Sequence, residues 1–391
     1  MFTLPLLKDV GSLRGNRVLL RLNLDMPVVN GVLQDTYRID RSRKTLDFLK
    51  RQGARTIIIS HIGREPEETL RPVFEYLKKS LPIEFVGTVE DAKELTPQIK
   101  EGTFLLLENL RSFSGEVKNN PMFAQELATL ADIYVNEAFA VSHREHGSIV
   151  GVPKILPSYA GFVFAEEVEN LSKAFNPPHP MLVVLGGAKF ETKTPLIEKF
   201  LTIADNIYVC GALANDIYRA RGYETGLSLL SYSELSQNLL ENPKLHVPSD
   251  VIVHSLSGNV AKPNPHDSVA RFAQGEFREK GADTVLRNEK IVDAGFKALD
   301  DLRALVEKSE FVLWNGPLGE YESGFDQGTI ALAQMLAECD AETIIGGGDS
   351  LAVVSKLGLL ERFSFVSTGG GAMLDFLAAG TLPGIEALSK K

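Results

Sequence analysis

The chain has 391 residues, and because a single hydrophobic core stops growing at roughly 250–300 residues, this length favours two domains. Apolar residues make up 44% of the chain and charged residues 24%, proportions that are typical of soluble globular proteins. The net charge of −10 argues against nucleic acid or an anionic membrane as the main partner. Anionic ligands must therefore be met by local clusters of cations.

Cysteine content and targeting signals indicate the compartment. Cys210 and Cys339 are the only cysteines, too few for a disulfide framework and without the spacing of a metal site. No apolar stretch approaches the roughly 20 residues of a membrane-spanning helix. The segment 1–10 lacks the charged and then apolar build of a signal peptide. We therefore expect a cytoplasmic protein.

Short apolar runs alternate with amphipathic segments along the chain. The runs predict strands at 18–22, 56–60, 104–107, 133–135, 181–185, 207–210, 311–314, 343–345 and 363–368. The amphipathic segments predict helices at 41–51, 67–80, 119–130, 159–175, 195–204, 212–221, 297–307, 330–338 and 351–359. This alternation is typical of β-α-β units and predicts mainly parallel sheets. The stretch 254–290 has few strong signals, and we interpret it as loops and short elements.

The residues that follow the strands change in type near residue 160. The earlier strands are followed by Asn23, Asp25, His61, Arg64, Arg111, His143, Arg144 and His146. The later strands are followed by glycine clusters with lysine or aspartate, at 186–189, 211, 315–317, 346–349 and 369–371. In an open parallel sheet, ligands bind beyond the carboxyl ends of the strands. The pattern therefore indicates two different phosphate-bearing ligands, one in each half.

Each of these motifs also has a simpler interpretation. Gly346-Gly347-Gly348 is either a tight turn or a phosphate site at the start of a helix, where amides and the helix dipole favour an anion. Asp349 and Ser350 are either helix caps or, for Asp349, a ligand of Mg²⁺, which takes one or two carboxylates and keeps its waters.

The basic residues have similar alternatives. Lys189 and Lys193 are four residues apart, so on a helical first turn both would lie over the glycine amides; they are otherwise solvated surface lysines. The absence of G-x-x-x-x-G-K-[ST] excludes a P-loop enzyme. The histidines at 61, 143 and 146 lie close to arginines, which disfavours a metal and favours a phosphate or carboxylate. Arg38 is either a substrate cation or part of a salt bridge at a helix entry.

Trp314-Asn315-Gly316-Pro317, with Glu322 after it, is either a plain turn or a nucleoside site. In the second interpretation Glu322 accepts hydrogen bonds from ribose hydroxyls.

Taken together and in this order, the motifs resemble those of phosphoglycerate kinases, and the resemblance covers nearly the whole chain. The motifs are RLNLDMP at 21–27, Arg38-Ile39, SHIGR at 60–64, LENLR at 107–111, YVNEAF at 134–139, SHREH at 142–146, 186–193, WNGPLG at 314–319 with Glu322, 346–349 and VSTGGGA at 366–372. The resemblance implies two Rossmann-like three-layer (αβα) parallel-sheet domains that face a cleft and are joined by a long helix and hinge. It places the 3-phosphoglycerate-binding domain at 1–158 plus 372–391, the interdomain helix at 159–178 and the nucleotide-binding domain at 179–371.

The resemblance also implies the reaction and the residue roles. A monomer would transfer phosphoryl reversibly between Mg-ATP and the carboxylate of 3-phosphoglycerate, giving ADP and 1,3-bisphosphoglycerate, with hinge closure. The implied catalytic groups are Arg38, Lys189, Lys193 and the amides of Gly348 and Gly371. The implied substrate-binding residues are Asn23, Asp25, Arg38, His61, Gly63, Arg64, Arg111 and Arg144. The implied nucleotide-binding residues are Lys193, Gly211, Gly295, Glu322, Gly347, Gly348, Asp349 and Ser350, and Asp349 would bind Mg²⁺.

The chain departs from the family pattern at several positions. The usual aspartate and asparagine of the first strand are exchanged, as Asn23 and Asp25, so a carboxylate stands where an amide is expected. A proline and a hydroxyl are replaced by Phe296 and Ala298, a histidine by Phe365, and a triple glycine by Cys210-Gly211-Ala212. The alternative to an active enzyme is a catalytically weakened relative that binds nucleotide or another phosphorylated acid. Retention of Arg38 and Lys193 favours the enzyme, since a binding protein needs no cations aimed at a transferred group.

Overall fold

The structure is a computed structural model that describes residues 3–188, 190, 193–232, 234–255 and 276–389. The chain forms two compact units. The first comprises Met1–Glu169 and Gly371–Lys391, and the second comprises Asn170–Gly370. The first unit is therefore discontinuous in sequence, and its last segment follows the whole of the second.

The first unit contains a six-stranded parallel sheet. Its strands are β1 (Arg17–Arg21), β4 (Arg55–Ile59), β5 (Ile83–Val86), β6 (Phe104–Leu107), β7 (Ile133–Asn136) and β8 (Ser158–Ala160), in the order β5-β6-β4-β1-β7-β8. A two-stranded hairpin, β2 (Val28–Val29) and β3 (Val32–Leu33), follows β1. The central strands are buried on both faces, as expected for a parallel sheet covered by helices on both sides.

The helices of the first unit connect these strands. They are α1 (Tyr37–Arg51), α2 (Arg71–Leu77), α3 (Val89–Leu95), α4 (Ser114–Val117), α5 (Pro121–Ala128) and α6 (Phe162–Ser172), with the last two helices of the chain, α13 (Gly371–Ala379) and α14 (Pro383–Leu388). The start of α5 follows the predicted pattern, because the Asn120 side chain accepts a hydrogen bond from the Met122 amide and Pro121 occupies the first turn.

The second unit contains another six-stranded parallel sheet. Its strands are β9 (Met181–Leu185), β10 (Asn206–Val209), β11 (Leu245–His246), β15 (Phe311–Asn315), β16 (Glu342–Gly346) and β17 (Phe365–Val366), in the order β11-β10-β9-β15-β16-β17. Its helices are α7 (Thr194–Leu201), α8 (Ala212–Ala220), α9 (Gln237–Leu240), α10 (Phe296–Val306), α11 (Gln327–Glu338) and α12 (Gly348–Lys356). The prediction of mainly parallel α/β architecture is confirmed in both units.

The stretch 254–290, interpreted from the sequence as loops and short elements, contains short strands that form a sheet where the structure describes it. A three-stranded antiparallel sheet is formed by β12 (Asp250–Ser255), β13 (Glu276–Gly281) and β14 (Glu289–Ala294), in the order β13-β12-β14. The remaining part of that stretch, 256–275, lies outside the described residues. Strand β13 reads EFREKG, and its four charged residues hide the period-2 pattern of a strand.

Several helix boundaries also differ from the sequence prediction, and two of them concern residues discussed below. The helix expected at 159–175 begins at Phe162, because Ser158–Ala160 pairs with β7 as β8. Helix α1 begins at Tyr37, so Arg38 lies in its first turn. Every helix in the described part of the chain is too short or too polar to cross a membrane.

Strand register brings the carboxyl ends of the central strands together. In the first sheet Arg21 pairs with Ile59 on one side and with Asn136 on the other. In the second sheet Asn315 pairs with Leu185 and with Gly346. Residues just beyond these strands are therefore neighbours in space, although they are far apart in sequence.

Candidate active site

The first unit has a cavity at the carboxyl ends of its strands, which we call the arginine cavity. Its volume is about 670 Å³, and it is lined by Asp25, Gly63, Arg64, Pro66, Arg111, Val117, Arg144 and His146. These residues follow β6, β4, β1 and β7, which are consecutive neighbours in the sheet in that order. Three guanidinium groups in one cavity are chemically suited to an anion, because arginine presents paired donors that fit carboxylate and phosphate.

The loop after β4 depends on a glycine. Gly63 has φ +65°, and a Cβ atom there would lie 1.8 Å from the Glu68 carboxylate. Its amide donates to Asp25 Oδ1 at 2.9 Å, and its carbonyl oxygen accepts from the Arg111 guanidinium. The glycine thus links the segments after β1, β4 and β6.

His61 lies beside this cavity in a buried position and is 4% exposed. Its Nδ1 atom is 3.1 Å from a terminal nitrogen of Arg21, and its Nε2 atom is 3.6 Å from Asp25 Oδ2. Burial, followed by the charges of Arg21, Arg111 and Arg144, lowers the pKa of His61 to about 2. His61 is therefore neutral at pH 7.

The same crowding of positive charge affects the other basic groups. Burial and then Arg144 lower the pKa of His146 to about 4, and burial and Arg144 also lower the pKa of Arg111. An anion in the cavity would relieve this repulsion.

Three of the remaining sequence-predicted residues of the first unit do not line the arginine cavity. Asn23 is half-buried just after β1, and Arg38 is half-buried in α1. Arg38 forms no ion pair within the described residues, and Asp35 accepts from the Tyr37 amide. Gly371 is the first residue of α13.

The second unit has a cavity of about 330 Å³, which we call the glycine cavity. Its lining includes Gly187, Ala188, Gly211, Ala212, Asn215, Leu229, Asp293, Pro317, Glu322 and Asp349. Gly211 has φ +62°, and a Cβ atom there would come within 3.1 Å of the Gly187 nitrogen and the Pro317 oxygen. The glycine that the backbone requires is therefore retained, although the two residues beside it are Cys210 and Ala212.

Lys193 is held near this cavity by three oxygen atoms. Its Nζ donates to Gly186 O at 2.6 Å and to Asn315 Oδ1 at 2.8 Å, and lies 3.4 Å from Asn315 O. It is 7% exposed, and this burial lowers its pKa to about 8. Lys193 precedes α7 and so does not lie in a helical first turn. Lys189 lies outside the described residues.

The other nucleotide candidates differ in their surroundings. Asp349 and Glu322 are exposed and line the glycine cavity. The Ser350 hydroxyl accepts from the Gly316 amide, while Gly347 and Gly348 lead into α12. Gly295 precedes α10 next to the lining residue Ala294. Trp314 is fully buried and packs near Phe363, so it is a core residue and does not line the cavity.

The exposed Asp349 carboxylate fits a Mg²⁺ ion bound mainly by phosphate and water. No group of three or more His, Cys, Asp or Glu side chains is placed to bind a metal ion among the residues that the structure describes. Mg²⁺ commonly binds through one or two carboxylates together with substrate phosphates.

The amides at the start of α10, including that of Ala298, are bonded by a carboxylate from another element. Asp250 Oδ1 accepts from the Ala298 amide at 2.7 Å, and Oδ2 accepts from the Lys297 amide at 3.2 Å. Helix α10 is therefore capped by β12, and the Phe296 side chain is left 68% exposed.

Sequence reasoning did not name Arg21, Asn315 or His146 individually among the catalytic or binding residues. Arg21 contacts His61, which is 40 positions away in the sequence. Asn315 accepts a hydrogen bond from Lys193, which is 122 positions away. A single sequence does not reveal contacts over such separations. His146 stands after β7 in the strand-end pattern, and that pattern was the available signal.

The fold is that of an α/β protein in which each of two parallel-sheet units has its own cavity at the carboxyl ends of its strands. A family profile described as phosphoglycerate kinase matches residues 7–380. Phosphoglycerate kinases of Thermus thermophilus and Methylorubrum populi are 39% and 36% identical to the chain, covering 96% and 98% of it and 97% and 98% of the relatives. The chain therefore belongs to the phosphoglycerate kinase family, and it is a kinase.

Solved structures agree with this assignment. The phosphoglycerate kinase of Coxiella burnetii superimposes with a TM-score of 0.82 at 33% identity, with 99% of this chain and 100% of that chain covered. The enzyme of Pyrococcus horikoshii gives a TM-score of 0.84 at 28% identity, with 99% and 98% covered.

Proposed function

We propose that the protein catalyses reversible phosphoryl transfer between ATP and the carboxylate of 3-phosphoglycerate, with Mg²⁺ bound to the nucleotide. The observation that carries this proposal is the pairing of an arginine cavity in one unit with a glycine cavity beside a buried lysine in the other. Full-length relatives named phosphoglycerate kinase favour this function over a weakened binding protein.

The arginine cavity would hold the phosphorylated acid. Arg64, Arg111 and Arg144 provide the positive charge, and His61 adds a neutral donor at the cavity edge. Asp25 lies among these cations, which offset its repulsion of an anionic substrate. Asn23 and the Gly63 loop complete the proposed substrate site.

The glycine cavity would hold ATP or ADP. Gly211, Gly295, Gly347 and Gly348 allow close approach of the nucleotide to the backbone, and Glu322 would accept from ribose hydroxyls. Ser350 supports the loop at Gly316. Asp349 would hold the Mg²⁺ that neutralises phosphate charge.

The chemistry needs positioning and positive charge more than proton transfer. The carboxylate nucleophile is ionised at pH 7, so no general base is required. The transferred group resembles metaphosphate, with charge spread over its oxygens. Arg38, Lys189, Lys193 and the amides of Gly348 and Gly371 are the proposed donors to it. Phosphate near Lys193 would favour its charged form and oppose the effect of burial.

The test is ADP formation by the purified protein with ATP, Mg²⁺ and 3-phosphoglycerate, coupled to reductive trapping of the acyl phosphate. We expect turnover of order 1–100 per second or above. Nucleotide binding without turnover would support the weakened relative instead. Within an active enzyme, Arg38→Ala should lower kcat far more than it weakens nucleotide binding, and equal losses in both would contradict its role.

A further inference from the structure

Arg21 is a buried cation that the proposed chemistry does not use. It is the last residue of β1 and is 1% exposed. Removing a guanidinium from water is costly unless its donors are paired. A residue of this kind at the centre of the sheet therefore calls for an explanation.

Each of the three guanidinium nitrogens of Arg21 contacts a specific acceptor. Nε donates to Ser148 Oγ at 3.0 Å, one terminal nitrogen donates to Leu22 O, and the other lies 3.1 Å from His61 Nδ1. Ser148 is in turn bonded to a buried carboxylate, because its Oγ and its amide both donate to Glu116, at 2.6 and 2.8 Å. This arrangement holds the guanidinium against the imidazole ring.

The contact with Arg21 determines which ring nitrogen of His61 carries hydrogen. A guanidinium has donors and no acceptor, so Nδ1 must accept. The ring hydrogen is then on Nε2, the atom that lies 3.6 Å from Asp25 Oδ2 at the arginine cavity. The tautomer is thus fixed by a residue that does not itself line the cavity.

We propose that Arg21 is a positioning residue that fixes His61 in the Nε2–H tautomer, so that the imidazole meets the phosphorylated acid as a neutral hydrogen-bond donor. The charged and titratable groups around His61 are Arg21, Arg111, Arg144, His146 and Asp25. The four basic groups disfavour the protonated, imidazolium form of His61, whereas Asp25 favours it. The identity of the acid rests on the proposed function, whereas the tautomer does not.

The tautomer is measured by long-range ¹H–¹⁵N NMR of the ligand-free full chain labelled at histidine. The chain has seven histidines, and the His61→Gln spectrum assigns the relevant signals. We expect an unprotonated Nδ1 and a protonated Nε2 from pH 5.5 to 8. A ring protonated on Nδ1, or on both nitrogens, would overturn the proposal. This spectrum needs no turnover, so it is independent of the coupled assay.

A variant tests whether the tautomer matters for binding. Arg21→Met should give a mixture of tautomers and raise the Kd for 3-phosphoglycerate at least tenfold, measured by calorimetry, with the Kd for Mg-ADP unchanged. Ser148→Ala is the matched control, because it disturbs the same buried network and leaves the Arg21–His61 contact. It should lower stability and keep both the tautomer and the Kd.

Two results would show that Arg21 is only a structural cation. One is an Arg21→Met protein with unchanged tautomer and affinity. The other is a Ser148→Ala protein that loses the Nε2–H tautomer and the affinity for 3-phosphoglycerate as completely as Arg21→Met does. If Arg21→Met does not fold, the tautomer is tested by the spectra of the wild type and of Ser148→Ala. Hydrogen on Nδ1 of His61 in either spectrum would contradict the proposal.

Discussion

Asp25 places a negative charge in a cavity whose other charged residues are basic. Its side chain is 40% exposed, and it shares the cavity with three arginines. Two unit charges about 4 Å apart in water interact by about 1 kcal/mol, which corresponds to about fivefold in binding. Asp25→Asn should therefore lower the KM for 3-phosphoglycerate severalfold and leave the KM for ATP unchanged in steady-state kinetics.

A control separates this local effect from net charge. Glu65→Gln removes one negative charge from the exposed surface of the loop after β4, which contacts Asp25 through Gly63, and should leave both KM values unchanged. A rise in the KM for 3-phosphoglycerate in Asp25→Asn would contradict repulsion and show that the carboxylate accepts a hydrogen bond from the substrate.

Asn315 controls the position of Lys193. Its Oδ1 accepts from the ammonium group at 2.8 Å, and the residue is 4% exposed. Hydrogen bonds to charged groups contribute about 1.5–3 kcal/mol, so Asn315→Ala should lower kcat by roughly 10- to 100-fold with a smaller change in the KM for ATP. Thr329→Val is the control, because Thr329 supports the same loop through the Leu318 amide and does not touch Lys193. Equal losses in both variants would mean that loop disruption, and not lysine position, lowers the rate.

Helix α6 begins at a buried carboxylate. Glu137 accepts from the Val163 amide at 3.1 Å, from the Phe164 amide and from the Thr45 hydroxyl, which together satisfy the start of the helix. Burial raises the pKa of Glu137 to about 7, above its ordinary value of 4.5. The folded state therefore holds a proton that the unfolded state has released, and stability falls as pH rises from about 4.5 to about 7.

Glu137→Gln removes this titration and keeps an acceptor for the helix amides, while its NH₂ group can donate to Thr45. Relative to wild type, the variant should gain roughly 2–3 kcal/mol in free energy of unfolding between pH 5 and pH 8, measured by urea denaturation. Glu169→Gln, which changes an exposed carboxylate of the same helix, should show no such gain. A constant difference between Glu137→Gln and wild type across this range would show that Glu137 does not take up a proton on folding.

Secondary structure could be predicted from the sequence wherever burial is complete on both faces. The strands Phe104–Leu107 and Met181–Leu185 have the predicted bounds because every residue in them is apolar and buried. Strand β13 was missed because four of its six residues are charged and it lies at the edge of an antiparallel sheet. The Asp250 cap of α10 comes from a residue 48 positions earlier, so local capping rules could not find it.

At the scale of the whole molecule, parallel topology made much of the candidate site predictable. Residues after different strands meet at one edge of a sheet, which explains why Asp25, Arg64, Arg111 and Arg144 line one cavity. Their binding roles stay predictions. Topology could not show that Trp314 points into the core, since the same strand-end position serves either a ligand or the hydrophobic interior.

Each cavity is lined by residues of one compact unit, so each ligand should stabilise the protein independently of the other site. A ligand at 100 times its Kd adds about 2.7 kcal/mol, which raises Tm by roughly 5–10 °C for a unit of 150–250 residues. Arg111→Ala should abolish thermal protection by 3-phosphoglycerate and keep protection by Mg-ADP. Asp349→Ala should abolish the Mg²⁺-dependent part of the ADP protection and keep that by 3-phosphoglycerate.

Differential scanning fluorimetry with each ligand alone measures both variants, and each variant is the control for the other. Loss of both protections by one substitution would contradict the assignment of one ligand to each unit, because it would require residues of both units to bind the same ligand. Retention of both protections would place the binding residues elsewhere. The reciprocal pattern would instead show that the change from arginine-rich to glycine-rich strand ends near residue 160 separates the two binding sites of this kinase.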